Sequence, residues 1–240
     1  MIPDATFNPR PPGVPLARSR RWRRVLQVGS IVIGFVLFLC LAHSVQTNGA
    51  MVDLDLATLD WMTVRRSSLA DALMIGISGL GSFSLLGPLT DIWAGGFIFR
   101  RCWGPLALLV LTVPGGMLLN TVVKWAFHRA RPPIVDAAVS AVTEYSFPSG
   151  HTAAPTLFFG FLIVLLDSRR GNRRWFGWAA FGAAAVIVGV AASRVYLRVH
   201  YLSDVLASIC LHVAWLAIAL ASVRGLRGRM AFLILPTRQS

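Results

Sequence analysis

Three short stretches of the sequence contain residue types that can bind and transfer a phosphoryl group. Together they supply three fixed cations, two histidines and a carboxylate. They are Lys124-x6-Arg131-Pro132, Pro148-Ser149-Gly150-His151 and Ser193-Arg194-x5-His200-x3-Asp204. A phosphate ester carries about two negative charges near neutral pH. Because further charge develops on its oxygens during transfer, catalysis depends on positioning and on preorganised positive charge. The pattern therefore predicts phosphoryl-transfer chemistry.

The cationic side chains of these stretches suit a phosphate cradle. Lys124 supplies a point charge, and the guanidinium groups of Arg131 and Arg194 match phosphate oxygens with paired hydrogen bonds. Ser149 and Gly150 stand at the start of a predicted helix, and the unpaired N–H groups of a helix N-terminus bind anions. Glycine also lets the backbone approach a phosphate closely. We therefore predict that these five residues bind phosphate.

The two histidines and the carboxylate are the predicted catalytic groups. His200 and Asp204 have the i,i+4 spacing that places side chains on one face of a helix, here a helix entering the last apolar run. A carboxylate bonded to one ring nitrogen makes the other nitrogen a better nucleophile. His151 suits protonation of the leaving oxygen. No acidic cluster resembles a two-metal site, so we expect a metal-free reaction without a cofactor.

The composition predicts that a membrane surrounds these stretches. Hydrophobic residues make up 55% of the chain, charged residues only 14%, and the mean hydropathy is +0.65. These values are typical of a polytopic membrane protein. The net charge of +13 would ordinarily suggest nucleic acid, but the arginines occur in short clusters between apolar runs. Membrane topology explains them better, so we expect lipids and no nucleic acid as partners.

Six apolar runs approach or reach the roughly 17–25 residues that a helix needs to cross a bilayer. They are 25–45, 83–99, 104–123, 152–167, 175–193 and 204–223. A shorter apolar stretch, 67–81, is predicted to be interfacial or re-entrant. The predicted fold is an all-α polytopic bundle of about six transmembrane helices. Its predicted divisions are a basic cytoplasmic tail (1–24), a transmembrane phosphatase domain (25–223) and a second basic cytoplasmic tail (224–240).

The distribution of positive charge predicts the orientation of the bundle. With both termini in the cytoplasm, most of the 23 Lys and Arg residues fall on the cytoplasmic side, as the positive-inside bias requires. The loop with the first two motif stretches joins the third and fourth runs. The third stretch joins the fifth and sixth. All three can then converge at the outer face of a bacterial inner membrane, facing the periplasm or exterior.

The three stretches resemble the three signature motifs of the type-2 phosphatidic acid phosphatase superfamily, and the match is complete at every motif position. That superfamily contains membrane lipid phosphatases and soluble vanadium haloperoxidases. The resemblance implies that His200 forms a phosphohistidine, that Asp204 supports it and that His151 donates the proton. It also implies that Lys124, Arg131, Ser149, Gly150 and Arg194 hold the phosphate. The motifs lie within residues 124–204, and the order of spans extends the resemblance over about 80–223.

The expected activity is hydrolysis of phosphate from a phosphorylated or diphosphorylated lipid. Undecaprenyl diphosphate is the first substrate hypothesis, because the predicted site faces outward. Phosphatidylglycerophosphate, phosphatidate and lipid A phosphates are the close alternatives. A haloperoxidase is disfavoured because those relatives are soluble and larger. A non-catalytic membrane scaffold or transporter is disfavoured because no catalytic position is substituted.

Several polar residues outside the motif positions have bland interpretations. We expect Arg129 to be solvated, interfacial or in contact with phosphate, and Arg198 to be interfacial. Asp53 and Asp55 form a D-x-D pair without partner ligands, so we expect them in a solvated outer loop. His212 lies about 18 Å beyond His200 if the helix is continuous, at 1.5 Å per residue, which is too far to join the site.

Overall fold

The bundle is seen in a computed structural model that describes residues 16–133, 145–168 and 173–234. Within these residues every regular element is an α-helix, which confirms the predicted all-α class. The helices are α1 (Leu16–Gln46), α2 (Ala50–Thr63), α3 (Ser68–Gly79), α4 (Phe83–Phe99), α5 (Trp103–Phe127), α6 (Gly150–Ser168), α7 (Arg173–Tyr196) and α8 (Leu202–Ile234).

Six helical segments in the described ranges have the length and apolar character of membrane spans, as predicted. The second of them differs from the predicted 83–99. Helices α3 and α4 are separated only by residues 80–82 and together form the segment Ser68–Phe99. The interfacial or re-entrant placement of 67–81 stays a prediction. The stretch is too short to cross a bilayer alone, but it packs along α7 and continues into α4.

Helix α6 lies at the centre of the bundle and contacts α4, α5, α7 and α8. Its buried residues Ala154, Leu157, Phe158 and Phe161 recur at the three- and four-residue spacing of one helix face. That face joins apolar side chains of α5 and α8 in the largest buried cluster. This packing surrounds α6 with other helices, so its first turn and the second motif stretch lie in the middle of the bundle.

Helix α1 packs against α8 at very short range. A Cβ atom added to Gly34 would lie 2.7 Å from the carbonyl oxygen of Cys210 and 2.9 Å from Cβ of Ala214. Lipid gives helices little hydrophobic reason to associate, so small residues that permit close backbone packing take over that role. The same two helices are also joined by a hydrogen bond, in which Gln27 Nε2 of α1 donates to the carbonyl oxygen of Ala217 in α8 at 2.7 Å.

Helix α2 packs on α1, α7 and α8 and corrects the loop prediction for the D-x-D pair. Asp53 is exposed, but Asp55 is fully buried on the same helix face as Leu59. Burial of a lone carboxylate is costly, so buried charges are paired. Asp55 is paired with Arg129, at 2.8 Å between Oδ2 and Nη2. The sequence pattern could not show this pairing because the partner is 74 residues away.

The division into two tails and a membrane domain stays a prediction. Residues 1–15 and 235–240 lie outside the described ranges. Of the remaining parts of the predicted tails, Leu16 onward belongs to α1 and the chain up to Ile234 belongs to α8.

Candidate active site

The three motif stretches meet at one end of the bundle, where α5 ends, α6 begins and α7 turns into α8. The backbone N–H of Ser149 donates to the carbonyl oxygen of Asp204 at 3.1 Å and so ties the second stretch to the third. Ser208 Oγ reinforces this connection by donating to the carbonyl oxygen of Ser149 at 2.8 Å. The backbone N–H of His200 donates to the carbonyl oxygen of Arg194 at 3.2 Å, which closes the α7–α8 turn.

A cavity of about 560 Å³ opens among these helix ends. Five of the predicted site residues line it: Lys124, Arg131, Gly150, His151 and His200. Apolar and aromatic side chains, among them Phe83, Met117 and Trp125, form much of the remaining wall. The cavity therefore combines a cationic interior with walls suited to a hydrocarbon chain.

The other three predicted residues lie behind this lining. Ser149 and Asp204 are fully buried, and Arg194 is 4% exposed. The structure thus brings all eight predicted residues to one end of the bundle, with five at the cavity surface and three supporting or flanking it.

The His200–Asp204 pair forms as predicted, although in a different local structure. Helix α8 begins at Leu202, so His200 lies in the turn before it. Its Nδ1 is 3.3 Å from Oδ2 of Asp204, and that oxygen also accepts the backbone N–H of Tyr201 at 3.0 Å. If Nδ1 donates to the carboxylate, Nε2 carries the free lone pair that a nucleophile needs.

Burial controls the charge of His200. It lowers the pKa of His200 to about 3, the nearby cations Arg131 and Arg194 act in the same direction, and Asp204 opposes them. The side chain is almost fully buried. The imidazole is therefore neutral at physiological pH, which is the form with a lone pair available for attack on phosphorus.

Lys124 and Arg131 are held at the cavity by backbone carbonyl groups. Lys124 Nζ donates to the carbonyl oxygen of Tyr145 at 2.9 Å, and Arg131 Nη1 donates to that of Val199 at 2.7 Å. Burial lowers the pKa of the Arg131 guanidinium, and the nearby Asp204 carboxylate opposes that change. These two carbonyl groups help to orient the cationic side chains of Lys124 and Arg131 at the cavity, where positive charge suits an anion.

Arg194 has hydrogen-bonding capacity that the described part of the chain does not use. Its Nη1 donates to Ser78 Oγ on α3 at 2.6 Å, while its Nε and Nη2 are buried and find no acceptor among the described residues. Leaving buried guanidinium donors unpaired is costly. A phosphate oxygen would satisfy both, so this geometry supports the predicted role. Sequence reasoning missed Ser78, whose short polar side chain gave no motif signal.

The first turn of α6 carries the remaining predicted groups. The helix begins at Gly150, next to the predicted start near His151. Ser149 Oγ accepts a hydrogen bond from Thr152 Oγ1 at 3.1 Å. A Cβ added to Gly150 would meet Asn120 Nδ2 at 3.5 Å, an ordinary contact. The protein itself therefore does not require glycine there, and the missing side chain keeps the backbone open to the cavity.

Gly81, between α3 and α4, is a site-adjacent residue that sequence reasoning missed. It lines the cavity, and a Cβ there would lie 2.4 Å from the carbonyl oxygen of His151 and 2.6 Å from Cγ1 of Val190. Real Cβ atoms do not approach that closely. The break between the two helices therefore rests directly on the backbone of the second motif stretch.

A buried ion-pair network engages the Asp204 oxygen that does not face His200. Arg129 donates to Oδ1 of Asp204 at 2.6 Å, to Oδ2 of Asp55 at 2.8 Å and to Oγ of Ser203 at 2.7 Å. Arg129 is thus not a solvated or interfacial cation. The sequence offered one cue, the position of Arg129 two residues before Arg131, and that cue did not indicate either carboxylate partner.

Three further polar residues lie outside the cavity lining, namely Arg198, His128 and His212. Arg198 Nη1 contacts Thr63 Oγ1, which anchors the α7–α8 turn to α2. His128 packs edge-on against Trp125 and Tyr145, which both line the cavity. His212 Nδ1 lies 2.6 Å from the carbonyl oxygen of Ser208 within α8.

The described residues contain no group of three or more His, Cys, Asp or Glu side chains placed to hold a metal ion. The metal-free reaction stays a prediction.

Comparisons with known proteins agree with this geometry. The sequence pattern of the PAP2 superfamily matches residues 105–227, which include all three motif stretches. Over 183 residues the chain is 35% identical to phosphatidylglycerophosphatase B of Bacillus subtilis strain 168, covering 74% of this chain and 86% of that protein.

Two solved structures share the fold. The crystal structure of a transmembrane PAP2-type phosphatidylglycerolphosphate phosphatase from Bacillus subtilis matches with a TM-score of 0.71 and 29% identity, covering 87% of this chain and 99% of that chain. The crystal structure of Aquifex aeolicus LpxE matches with a TM-score of 0.53 and 24% identity, covering 70% of this chain and 95% of that chain.

The chain therefore belongs to the PAP2 superfamily, and within it to the membrane-embedded lipid phosphatases. This confirms the family that the three motif stretches predicted. The roles of the individual site residues stay predictions that the geometry supports.

Proposed function

We propose that this protein hydrolyses a phosphorylated membrane lipid through a covalent phosphohistidine at His200. The observation that carries the proposal is the buried His200–Asp204 pair, which opens onto a cavity lined by Lys124 and Arg131. A neutral imidazole oriented by a carboxylate and facing an anion-binding cavity is equipped for nucleophilic attack on phosphorus.

Substrate binding uses the fixed cations and the start of α6. The phosphate oxygens accept hydrogen bonds from Lys124, Arg131 and the Arg194 donors that no described residue engages. Backbone N–H groups after Ser149 add the helix N-terminal contribution. These donors are in place before the reaction, so they stabilise the charge that develops on the equatorial oxygens.

Two displacements complete the turnover. Nε2 of His200 forms a bond to phosphorus while the bond from phosphorus to the leaving oxygen breaks, and protonated His151 gives that oxygen its proton. Neutral His151 then takes a proton from water as the water oxygen attacks phosphorus. The N–P bond breaks, inorganic phosphate leaves and His200 returns to its neutral form. Asp204 keeps the Nδ1 proton in place throughout.

The substrate we propose is phosphatidylglycerophosphate. The cavity wall is apolar where Phe83 and Met117 contribute to it, as a lipid chain requires. The Bacillus subtilis relative at 35% identity carries a name that specifies phosphatidylglycerophosphate as its substrate, and so does the matching crystal structure from the same organism. Undecaprenyl diphosphate, the first hypothesis from the sequence, is in neither name and is the principal competitor in the test.

The orientation we propose places the site at the outer face of a bacterial plasma membrane. The support is the excess of Lys and Arg on the opposite side of the six-span bundle. Alkaline phosphatase fused after Arg66 should then be active in cells, and the same enzyme fused after Arg101 should be inactive. The reverse pattern would overturn this orientation.

Phosphate release from a panel of lipids in detergent tests the function. We expect the highest kcat/KM with phosphatidylglycerophosphate, lower values with undecaprenyl diphosphate, phosphatidate and lipid A, and no release by His200→Ala. Preference for undecaprenyl diphosphate would contradict the proposed substrate but not the proposed reaction. Inactivity on every lipid, combined with vanadate-dependent oxidation of halide, would overturn the phosphatase function itself.

A further inference from the structure

The carboxylate that orients His200 is itself held by a second cation. Asp204 Oδ2 faces Nδ1 of His200 at 3.3 Å, and its other oxygen, Oδ1, accepts a hydrogen bond from Nη1 of Arg129 at 2.6 Å. The two oxygens therefore have different tasks. One orients the histidine, and the other is fixed by Arg129.

Arg129 is in turn fixed by α2. Its Nη2 pairs with Oδ2 of Asp55 at 2.8 Å, and Asp55 Oδ1 accepts the backbone N–H of Ser203 at 2.8 Å. The hydroxyl of Ser203 bonds both Asp55 and Arg129. The ring of Tyr201 covers the guanidinium at 4.1 Å. Every member of this network thus has at least two partners, which makes its geometry well defined.

Arg129 does not belong to the phosphate cradle. Like Arg194 it is absent from the cavity lining, but unlike Arg194 it has no side-chain nitrogen that is buried without a partner among the described residues. Both of its terminal nitrogens are engaged by carboxylates that do not face the cavity. The chain therefore places two arginines of different function, Arg129 and Arg131, in one short loop.

We infer that Arg129 is a positioning residue, which together with Asp55 and Ser203 locks the Asp204 carboxylate in the orientation that holds His200 for attack. This inference rests on the proposed function, because it assumes that His200 is the nucleophile. A planar guanidinium can grip two carboxylates at once in a fixed plane, and Lys cannot reproduce that fork. Helix α2, outside the motif region, thereby contributes to the catalytic geometry.

The test must separate positioning from simple stabilisation, because a buried salt bridge that loses one partner destabilises a fold. Arg129→Gln alone leaves two buried carboxylates, Asp55 and Asp204, without their cation, so that variant is expected to have a lower thermal midpoint. The double variant Asp55→Asn/Arg129→Gln removes one of these carboxylates together with the cation, while Asp204 keeps the N–H of Tyr201 and His200 as partners, and it should recover most of the midpoint. Arg65→Gln is the matched control, because Arg65 is an exposed arginine at the same end of the bundle.

We expect the double variant to fold like wild type while its kcat falls roughly 10- to 100-fold. Losses of this size are typical when a residue that orients a metal ligand through a hydrogen bond is removed. The KM of the double variant should stay within about twofold, since both terminal nitrogens of Arg129 are bonded to carboxylates and not offered to a phosphate. Arg129→Lys should fold and recover only part of kcat. Arg65→Gln should match wild type in both constants.

Wild-type kcat in the double variant would overturn the inference, because it would show that Arg129 only neutralises Asp55. If the double variant does not fold, Arg129→Lys decides, and wild-type kcat there contradicts the inference. If the KM of the double variant rises by the same factor by which its kcat falls, Arg129 belongs to the phosphate cradle, and the inference is contradicted. Failure of the proposed function looks different: wild type itself would then form no acid-labile phosphohistidine.

Discussion

The two ends of the helical bundle are built on opposite principles. One end buries a group of polar and charged side chains, including Asp55, Arg194, His200 and Asp204. Toward the other end, α4, α5, α6 and α8 bury an apolar cluster that contains Leu109, Phe161 and Val223, among others. The polar end positions chemistry, and the apolar cluster holds the helices that carry it.

The contrast shows where specificity resides in a membrane enzyme. Apolar side chains face much the same environment in lipid as in the core, so many of them are interchangeable if volume is kept. A buried ion or hydrogen bond has one geometry and costs free energy when a partner is missing. Substitutions at the polar end should therefore remove activity, whereas substitutions in the apolar cluster should remove stability.

Among substitutions in the phosphate cradle, we expect replacement of Arg194 to cause the largest loss of activity. Arg194→Ala removes the buried donors left unpaired by the described residues, so kcat/KM should fall roughly 100- to 1,000-fold, as for loss of one donor to a transition-state oxyanion. Arg65→Gln is the control, because Arg65 is an exposed arginine whose Nη1 donates to the carbonyl oxygen of Trp61 four residues earlier. Equal losses in the two variants would contradict the assignment of Arg194.

Gly81 tests whether the backbone of the second motif stretch is fixed from outside. Gly81→Ala would force a Cβ to 2.4 Å from the His151 carbonyl oxygen, so His151 must move and kcat should fall roughly tenfold or more. Gly76→Ala, in α3 with nothing within 4 Å of the added Cβ, should keep wild-type kcat. Steady-state kinetics of both variants decide, and an unaffected Gly81→Ala enzyme would contradict the steric argument.

The charge state of His200 should appear in the pH dependence of stability. The folded pKa is about 3, and that of the unfolded chain is near the ordinary 6.5. Between these values only the unfolded state binds the proton, so stability falls as pH falls below 6.5, by up to about 1.4 kcal/mol per pH unit. The thermal midpoint of wild type should therefore drop further between pH 7 and pH 5 than that of His200→Gln. Equal drops would show that His200 titrates normally.

The smallest effect on activity is expected in the apolar cluster. Phe161 is fully buried in α6 and packs edge-on against Phe97 at 6.2 Å. Phe161→Ala should lower the free energy of unfolding by about 3 kcal/mol through the cavity it leaves. The kcat per folded molecule should stay at the wild-type value. A selective loss of kcat at an unchanged thermal midpoint would break the contrast between the two ends.

The sequence was most informative where polar residues interrupt apolar runs. Lys124, His151, His200 and their neighbours were predicted because their types and spacing are unusual beside a membrane-length helix. The six spans were predicted from the length of the apolar runs alone. The joining of α3 to α4 was not predicted, because the short stretch 67–81 and the run 83–99 are separate apolar runs in the sequence. Helix content and family were therefore accessible from sequence.

The residues that sequence reasoning missed act through three-dimensional proximity. Asp55 meets Arg129 across 74 positions, and Ser78 meets Arg194 across 116 positions. Gly81 is distinguished by the space it leaves for another backbone, which composition does not reveal. No spacing rule reports such contacts. They become visible only when α2 and α3 are seen packed against the turn between α7 and α8.

The central claim, that His200 forms the covalent intermediate, is tested most directly by trapping with ³²P-labelled substrate and mapping the label. Wild type should carry an acid-labile, base-stable phosphoryl group on the peptide that contains His200, and His200→Ala should carry none and lack turnover. Asp204→Asn should label slowly, because it disturbs the tautomer while leaving the nitrogen in place. Label found on His151, or substantial turnover by His200→Ala, would contradict the account.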